Sequence, residues 1–260
     1  MRISGGKFKG FKVELPSLKE EAFSVSNSAA KKRSNLNLKN PSPATIDNLI
    51  RSTQKKESKK DSTLTTRPTM EAIREAFFNS LAARDLIQDS FFIDLFAGSG
   101  VVGIEAISRG AAHALFVEKN GDLVKALKAN ITKFKINNIS EVFNLDFKKF
   151  FLQSDQLKVR LGNYPRTIIF IDPPYDLYDY SSIIKIISDA GIINKQTIFV
   201  IEQRSPKGQK NKVEVGVKPA ESLSVSNQNE ILKELIDRYD MKVIFEKVYS
   251  EAKISIYSIS

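Results

Sequence analysis

Phe91-Phe92-Ile93-Asp94-Leu95-Phe96 runs directly into Ala97-Gly98-Ser99-Gly100-Val101-Val102-Gly103. An apolar strand, a glycine turn and the start of a helix follow one another, which is the opening unit of a parallel sheet. The same rhythm continues outward. ALFVEK (114–119), EVFNLD (141–146), TIIFID (167–172) and TIFVIE (197–202) read as strands, with helical spacing at about 101–109, 122–135, 147–153 and 180–190. Alternation of this kind predicts an α/β protein with a doubly wound, Rossmann-like, mostly parallel sheet and right-handed crossovers. The strands are apolar throughout rather than alternating, as expected where helices cover both faces. KVIFEKVYS (242–250) and KISIYSIS (253–260) are separated only by Glu251-Ala252. That spacing predicts a terminal hairpin, so the sheet ends with an antiparallel strand. Residues 205–228 are polar and read as a surface loop.

Upstream of this body, residues 66–90 hold a helix that packs on the core. Thr69 suits an N-cap, Glu71 the first turn, and Ile73, Phe77 and Leu81 recur at helical spacing over about 70–83. Phe77 and Phe78 are expected to be packing residues. Residues 17–65 are different in kind. Ser, Asn and Lys dominate, no aromatic follows Phe23, and Pro41 and Pro43 break any period, which reads as a disordered, basic, low-complexity insertion. Residues 1–16 form an N-terminal β-hairpin, with β-like alternation around Gly5, Gly6 and Gly10.

Composition narrows the chemistry. Hydrophobic residues are 42% and charged residues 27% of the 260, so a fully disordered or fibrous chain is excluded. No run approaches the roughly 20 apolar residues that a bilayer demands. Met1-Arg2-Ile3-Ser4-Gly5-Gly6-Lys7 lacks the apolar core of a secretory signal, and a cytoplasmic protein is expected. There is no cysteine and only one histidine, His113, which reads as a strand-edge residue. Disulfides, cysteine-ligated metals and thiolate nucleophiles are therefore ruled out, and no metal site is expected. The net charge of +10 is uneven: residues 1–66 carry 14 Lys/Arg against 6 Asp/Glu, a net +8, and the remainder only +2. A basic first quarter on a near-neutral body suits a polyanionic partner.

In an open parallel sheet, ligands bind beyond the carboxyl ends of the strands. Four successive predicted strands finish at Asp94, Glu118, Asp146 and Asp172. Gly98 to Gly103 is formally a dinucleotide-binding glycine turn. Asp94 just before it would repel a pyrophosphate but welcome an ammonium group. Glu118, 24 residues later, can accept from both hydroxyls of a ribose, and Asp146 from an adenine amine. A ligand with ammonium, ribose and adenine but no phosphate is S-adenosylmethionine. The fourth strand then ends in Asp172-Pro173-Pro174-Tyr175. Paired prolines fix the backbone and leave carbonyls without competing N–H donors. The Asp172 carboxylate and the Pro173 carbonyl can together grip a planar exocyclic amine. Tyr175 offers a face for stacking a base, worth about 1–3 kcal/mol.

The segments RISGGKFKGFKVELP, TRPTMEAIREAFFNSL, FIDLFAGSGVVGIEAISRGA, VEKN and FIDPPYDLYDY together resemble the bacterial 16S rRNA guanine-N2 methyltransferase family of the RsmD type, among the class I S-adenosylmethionine-dependent methyltransferases. The resemblance covers about 1–16 and 66–180 well and the tail more loosely. It departs from the family in the length of 17–65. It implies a seven-stranded sheet, an S-adenosylmethionine-dependent methyltransferase domain over 91–260, and methylation of a guanine N2 in 16S rRNA of the small ribosomal subunit by a monomer. Carried onto this chain, it assigns Asp94, Gly98 and Gly100 to the donor's methionine end, Glu118 to the ribose, and Asp146 with Phe147 to the adenine. Asp172, Pro173, Pro174 and Tyr175 become the catalytic grip on the target amine and base. Lys7, Lys9 and Lys12 become RNA phosphate contacts, and Arg67 and Arg74 either contact RNA or order the site. Arg109-Gly110-Ala111 reads as a helix C-cap.

Exocyclic nitrogen needs only orientation and proximity, whereas the usual methylation of pyrimidine C5 needs a cysteine that this chain lacks. The rival readings are an amino-methyltransferase on DNA or other RNA, acting at adenine N6 or cytosine N4, and a catalytically inactive RNA-binding assembly factor.

Overall fold

The fold is that of a computed structural model describing residues 1–16, 68–152, 155–174, 180–204, 233–234, 236–249 and 252–260. The insertion at 17–65 and the loop at 205–228 lie outside the described residues. Met1–Leu15 and Glu71–Ser260 make one compact unit. Only Pro16 and residues 68–70 of the intervening unit fall within the description.

The strands are β1 (Phe91–Asp94), β2 (His113–Val117), β3 (Ser140–Phe143), β4 (Thr167–Ile171), β5 (Thr197–Arg204), β6 (Met241–Val248) and β7 (Ala252–Ile259). They form a single seven-stranded sheet in the order β3-β2-β1-β4-β5-β7-β6. Pairings among β1 to β5 are parallel, and β7 is antiparallel to both β5 and β6. The terminal hairpin is therefore present, but its second strand inserts beside β5 and leaves β6 as the edge. Burial explains the order: β7 holds Ile254 and Ile256 fully covered, whereas β6 exposes Val243 and Val248. The strand with one charged residue takes the inner position, and the strand with three takes the edge.

Both faces of the sheet are covered, which accounts for strands without alternation. Phe92, Ala114, Phe116, Ile168, Phe170 and Val200 face a core shared with helices α1 (Pro68–Ala83), α2 (Val101–Ser108) and α3 (Gly121–Lys133). Their neighbours Phe91, Ile93, Leu115, Ile169, Ile171 and Phe199 face α4 (Phe147–Phe151), α5 (Asp155–Leu161) and α6 (Tyr180–Asp189). Phe77 and Phe78 are buried packing residues, with Phe77 stacked on Phe170 at 5.5 Å. Helix α1 opens on Pro68, so Thr69 lies inside the helix rather than capping it. A proline in the first turn forfeits no intrahelical bond, because its N–H would have no partner there. Helix α5 was not expected, since only Leu157 and Leu161 mark its apolar side.

The residues before α2 bring the site together. Gly100 caps α2 in the left-handed region at φ +81, and a Cβ there would meet Leu127 Cδ1 at 2.2 Å. At Gly103 a Cβ would meet the Phe116 ring at 2.3 Å. Only glycine lets α2 approach both α3 and the sheet this closely. Gly100→Ala is expected to cost about 1–3 kcal/mol through overpacking and backbone strain, read as a lowered urea midpoint.

At the N-terminus, Arg2 and Lys12 form one antiparallel bridge, and a 3-10 turn over Gly6–Phe8 replaces the regular ladder of a β-hairpin. Ile3 and Val13 point inward and are fully buried. The segment is anchored by Glu105 of α2, which is completely buried. Its carboxylate accepts from Ser4 Oγ, from Arg74 Nε at 2.5 Å and from Arg109 Nε at 2.9 Å. Arg109 also reaches Asn79 and Ser4, both at 3.1 Å. Arg109 is the C-cap of α2 and Gly110 follows at φ +114, so the C-cap reading of Arg109-Gly110-Ala111 is correct as far as it goes.

Candidate active site

The sheet order reverses between β1 and β4, and a crevice opens there beyond the carboxyl ends of the strands. Asp94 is the last residue of β1, while Glu118 and Asp172 directly follow β2 and β4. Asp146 lies further along its turn, three residues past β3, where it caps α4 by accepting from Lys148 N at 3.0 Å. A cavity of about 440 Å³ lies at this edge. Gly98, Glu118, Asp146, Phe147, Asp172, Pro173 and Pro174 line it, with Leu95, Phe96, Val117, Leu123 and Leu145 as apolar walls. Seven of the residues singled out in the sequence thus meet around one space.

Their local bonds show how the site is built. Glu118 accepts from Gly98 N at 2.9 Å through one oxygen and from Asn120 N at 2.7 Å through the other. It therefore ties the glycine turn to the start of α3, and each oxygen keeps lone pairs for a ligand. Gly98 has φ +54, with open space where a Cβ would stand. Phe147 is buried and packs against Phe96 at 5.4 Å, giving the cavity a flat aromatic side. Gly100 and Asp94 do not line the cavity; they lie beneath it. Asp94 is 1% exposed and accepts from Gly103 N at 3.3 Å through Oδ2. Its Oδ1 is buried without a hydrogen-bond partner among the described residues.

Burial pushes the Asp94 carboxyl up to about 7, opposed by the Gly103 N–H and reinforced by the charges of Asp172 and Glu118. Burial likewise pushes Asp172 up to about 7. A cluster of carboxyls poised near neutrality favours a cationic or hydroxyl-bearing ligand and disfavours a phosphate. The aromatic side at Phe147 and the acceptors at Glu118 and Asp146 fit an adenosine, and the buried Asp94 carboxyl behind them suits an attached ammonium group.

Tyr175 and Arg67 lie outside the described residues. Lys7, Lys9 and Lys12 are exposed on the N-terminal segment. Arg74 is not available to a phosphate: it is 4% exposed, and its guanidinium is bound to Glu105 and to the Arg2 carbonyl at 2.6 Å. Its place is that of an internal strut, which corrects the RNA-contact reading and keeps the alternative of ordering the structure. The sequence reading passed over Glu202 on β5, which is 4% exposed. The signal was present, because TIFVIE ends in an acid as the four earlier strands do.

Residues 52–221 match the protein family described as conserved hypothetical protein 95. The chain belongs to that family. The matched span contains the glycine turn and every residue described above as lining the cavity. Among relatives of this conserved hypothetical protein 95 chain, the Ribosomal RNA small subunit methyltransferase D of Escherichia coli K12 is 32% identical over 142 residues, 55% of this chain and 66% of that protein. The protein of the same name from Buchnera aphidicola (subsp. Acyrthosiphon pisum) is 36% identical over 137 residues, 53% and 66% of the two chains. The matches thus span just under two thirds of these relatives' length, and they agree with the RsmD-type resemblance in the motifs. The solved structure of the Escherichia coli protein yhhF superposes with a TM-score of 0.57 at 21% identity, covering 100% of this chain and 98% of that one. A Thermus hypothetical protein gives 0.54 at 18%, covering 100% and 99%. At these identities the likeness is one of fold.

Proposed function

We propose that this chain transfers a methyl group from S-adenosylmethionine to the exocyclic N2 amine of a guanine in the RNA of the small ribosomal subunit. The observation that carries the reading is the convergence of Asp172-Pro173-Pro174 with Glu118, Asp146 and Phe147 on one cavity. The names of the relatives, ribosomal RNA small subunit methyltransferases, support the class of substrate. When bound, the donor supplies an electrophilic methyl carbon on a cationic sulfur.

The chain's own residues then bind and orient. Glu118 accepts from the donor's ribose hydroxyls and Asp146 from its adenine amine, with Phe147 against the ring, while Asp94, buried behind the cavity wall, favours the donor's ammonium through its charge rather than by contact. Asp172 and the Pro173 carbonyl accept the two N–H bonds of the target amine and turn its lone pair toward the methyl. Pro174 stiffens that turn, and Tyr175 stacks on the base. Catalysis on this reading is positioning in a site that excludes water, with no covalent enzyme intermediate. Lys7, Lys9, Lys12 and Arg67 contribute phosphate contacts that set affinity and register rather than chemistry.

Glu118→Ala is expected to weaken donor binding by about 1–3 kcal/mol, the scale for losing hydrogen bonds to a charged acceptor. The methylated nucleoside is expected to be unchanged. Calorimetric titration with S-adenosylmethionine measures the first, and an unaltered affinity would remove Glu118 from the ribose. The function itself is tested by incubating the chain with labelled donor and unmodified small subunits, then analysing nucleosides. N2-methylguanosine is the expected product. N6-methyladenosine or N4-methylcytidine would move the reading to another amine, and donor binding without any transfer would favour an inactive assembly factor.

A further inference from the structure

Asp172 does not stand alone. The parallel register pairs Ile171 with Ile201, and the next residue along each chain is Asp172, just past the end of β4, and Glu202, within β5. Within β5, Glu202 follows the alternation of Val200, which faces the core shared with α1, α2 and α3. Glu202 is 4% exposed, and its Oε1 has no hydrogen-bond partner among the described residues. Glu202 is buried and Asp172 half-buried at neighbouring strand ends, and a like charge nearby disfavours ionisation of each.

We propose that Glu202 is a positioning residue for methyl transfer: one proton shared between the Glu202 and Asp172 carboxyls holds Asp172 as the acceptor that faces the target amine. The inference rests on the reading of the cavity as an amine-methylating site. In the transfer, the nitrogen lone pair forms the new C–N bond while the methyl–sulfur bond breaks and the sulfur keeps that electron pair. The nitrogen, now cationic, releases a proton. Asp172 takes it, and the carboxyl pair passes from one proton to two before returning one to solvent. The exocyclic nitrogen of guanine is a very weak base because its lone pair is conjugated with the ring, so the cation formed by alkylation is a stronger acid than a carboxyl and the uptake is downhill.

The other groups around Glu202 do not displace this pairing. Tyr180 of α6 donates to the Glu202 backbone carbonyl at 2.8 Å, not to its carboxyl. On β7 its cross-strand partner is Ile254, and the adjacent Lys253 and Ser255 are bound to Glu246 at 3.1 and 3.0 Å. Asp94 of β1, level with Phe170, adds a further acid on the same face. Burial, with the Asp172 charge added, pushes Glu202 up to about 8. The shared proton is thus held at neutral pH. It is lost as pH rises through that value, when two facing carboxylates repel and Asp172 loses its orientation. At the acidic end, a second proton removes the acceptor.

The test compares wild type, Glu202→Gln and Glu202→Ala for donor affinity, for transfer to unmodified small subunits across pH, and for carboxyl-carbon NMR titration of the full chain. The wild type is expected to give a bell-shaped kcat profile. Glu202→Gln, which keeps a hydrogen-bonding group but cannot titrate, is expected to keep the acidic limb and lose the alkaline limb up to about pH 9.5. Glu202→Ala is expected to lower kcat about tenfold or more with donor affinity unchanged, and Gln to recover part of that loss. An alkaline limb that survives in Glu202→Gln overturns the proposal. So does independent, single-step titration of the two carboxyls. Donor binding and coupled titration in a wild type that methylates no amine would instead sink the functional reading and leave the shared proton standing.

Discussion

Asp172→Ala is expected to lower methyl transfer to unmodified small subunits by about 10²–10⁴-fold while donor affinity stays within about twofold. The asymmetry follows from where Asp172 acts. It lies just past the end of β4, in the cavity wall formed with Pro173 and Pro174, whereas the proposed donor contacts come from the turn after β2 and the N-terminus of α4. An interaction made mainly as the amine attacks is lost from kcat rather than from donor binding. With the pair's single proton then kept by Glu202, no buried charge is left unpaired, so the alanine chain is not expected to unfold more easily. Calorimetric donor titration and single-turnover transfer measured on one preparation check both halves. Transfer within a few-fold of wild type would show that the tetrapeptide is only a rigid turn.

The second large effect is structural. Glu105→Ala is expected to cost about 3–5 kcal/mol of stability, because it removes the buried counter-charge of Arg74 and Arg109 and leaves Arg74 only the exposed Glu71 carboxylate at 3.8 Å. The side chains of Arg74 and Arg109 are 5% and 10% exposed, and that of Glu105 is 0% exposed. A single carboxylate therefore joins the N-terminal segment, α1 and α2. Urea denaturation measures the loss. Hydrogen exchange at Ile3 and Val13, whose amides bond to Phe11 and Met1 carbonyls at 3.0 and 2.9 Å, is expected to accelerate first. A stability change under 1 kcal/mol, on the scale of an exposed ion pair, would show that the two arginines reach solvent once the acid is gone.

The two variants probe features of unequal visibility in the sequence. Asp172 was legible because its information is local. A strand end, two prolines and an aromatic stand together in four residues, and their chemistry does not depend on what packs nearby. The same holds for Asp94, Gly98 and Glu118, whose spacing reflects one strand–helix–strand unit. The Glu105 cluster was not legible, because its members are remote. Ser4 and Glu105 are separated by 101 positions, and Arg74 and Glu105 by 31. Nothing near Arg74 distinguishes a buried strut from a surface charge on an amphipathic helix. Glu202 stands between these cases. Its place at a strand end was visible, but its neighbour Asp172 is adjacent only through the β4–β5 pairing.

What the sequence determined by itself was the succession of strands and helices and the edge at which their acids would gather. Short-range sterics dictate the former, and the fixed polarity of parallel strands dictates the latter. The tertiary structure alone decided the insertion of β7 between β5 and β6, the conversion of Arg74 from a supposed phosphate contact into a buried partner of Glu105, and the β4–β5 register that brings the chain at Glu202 next to the chain at Asp172. The physical reason is shared by all three. Burial and charge pairing are properties of contacts between distant segments, and they arise only once β5, β7, α1 and α2 have packed on the same sheet.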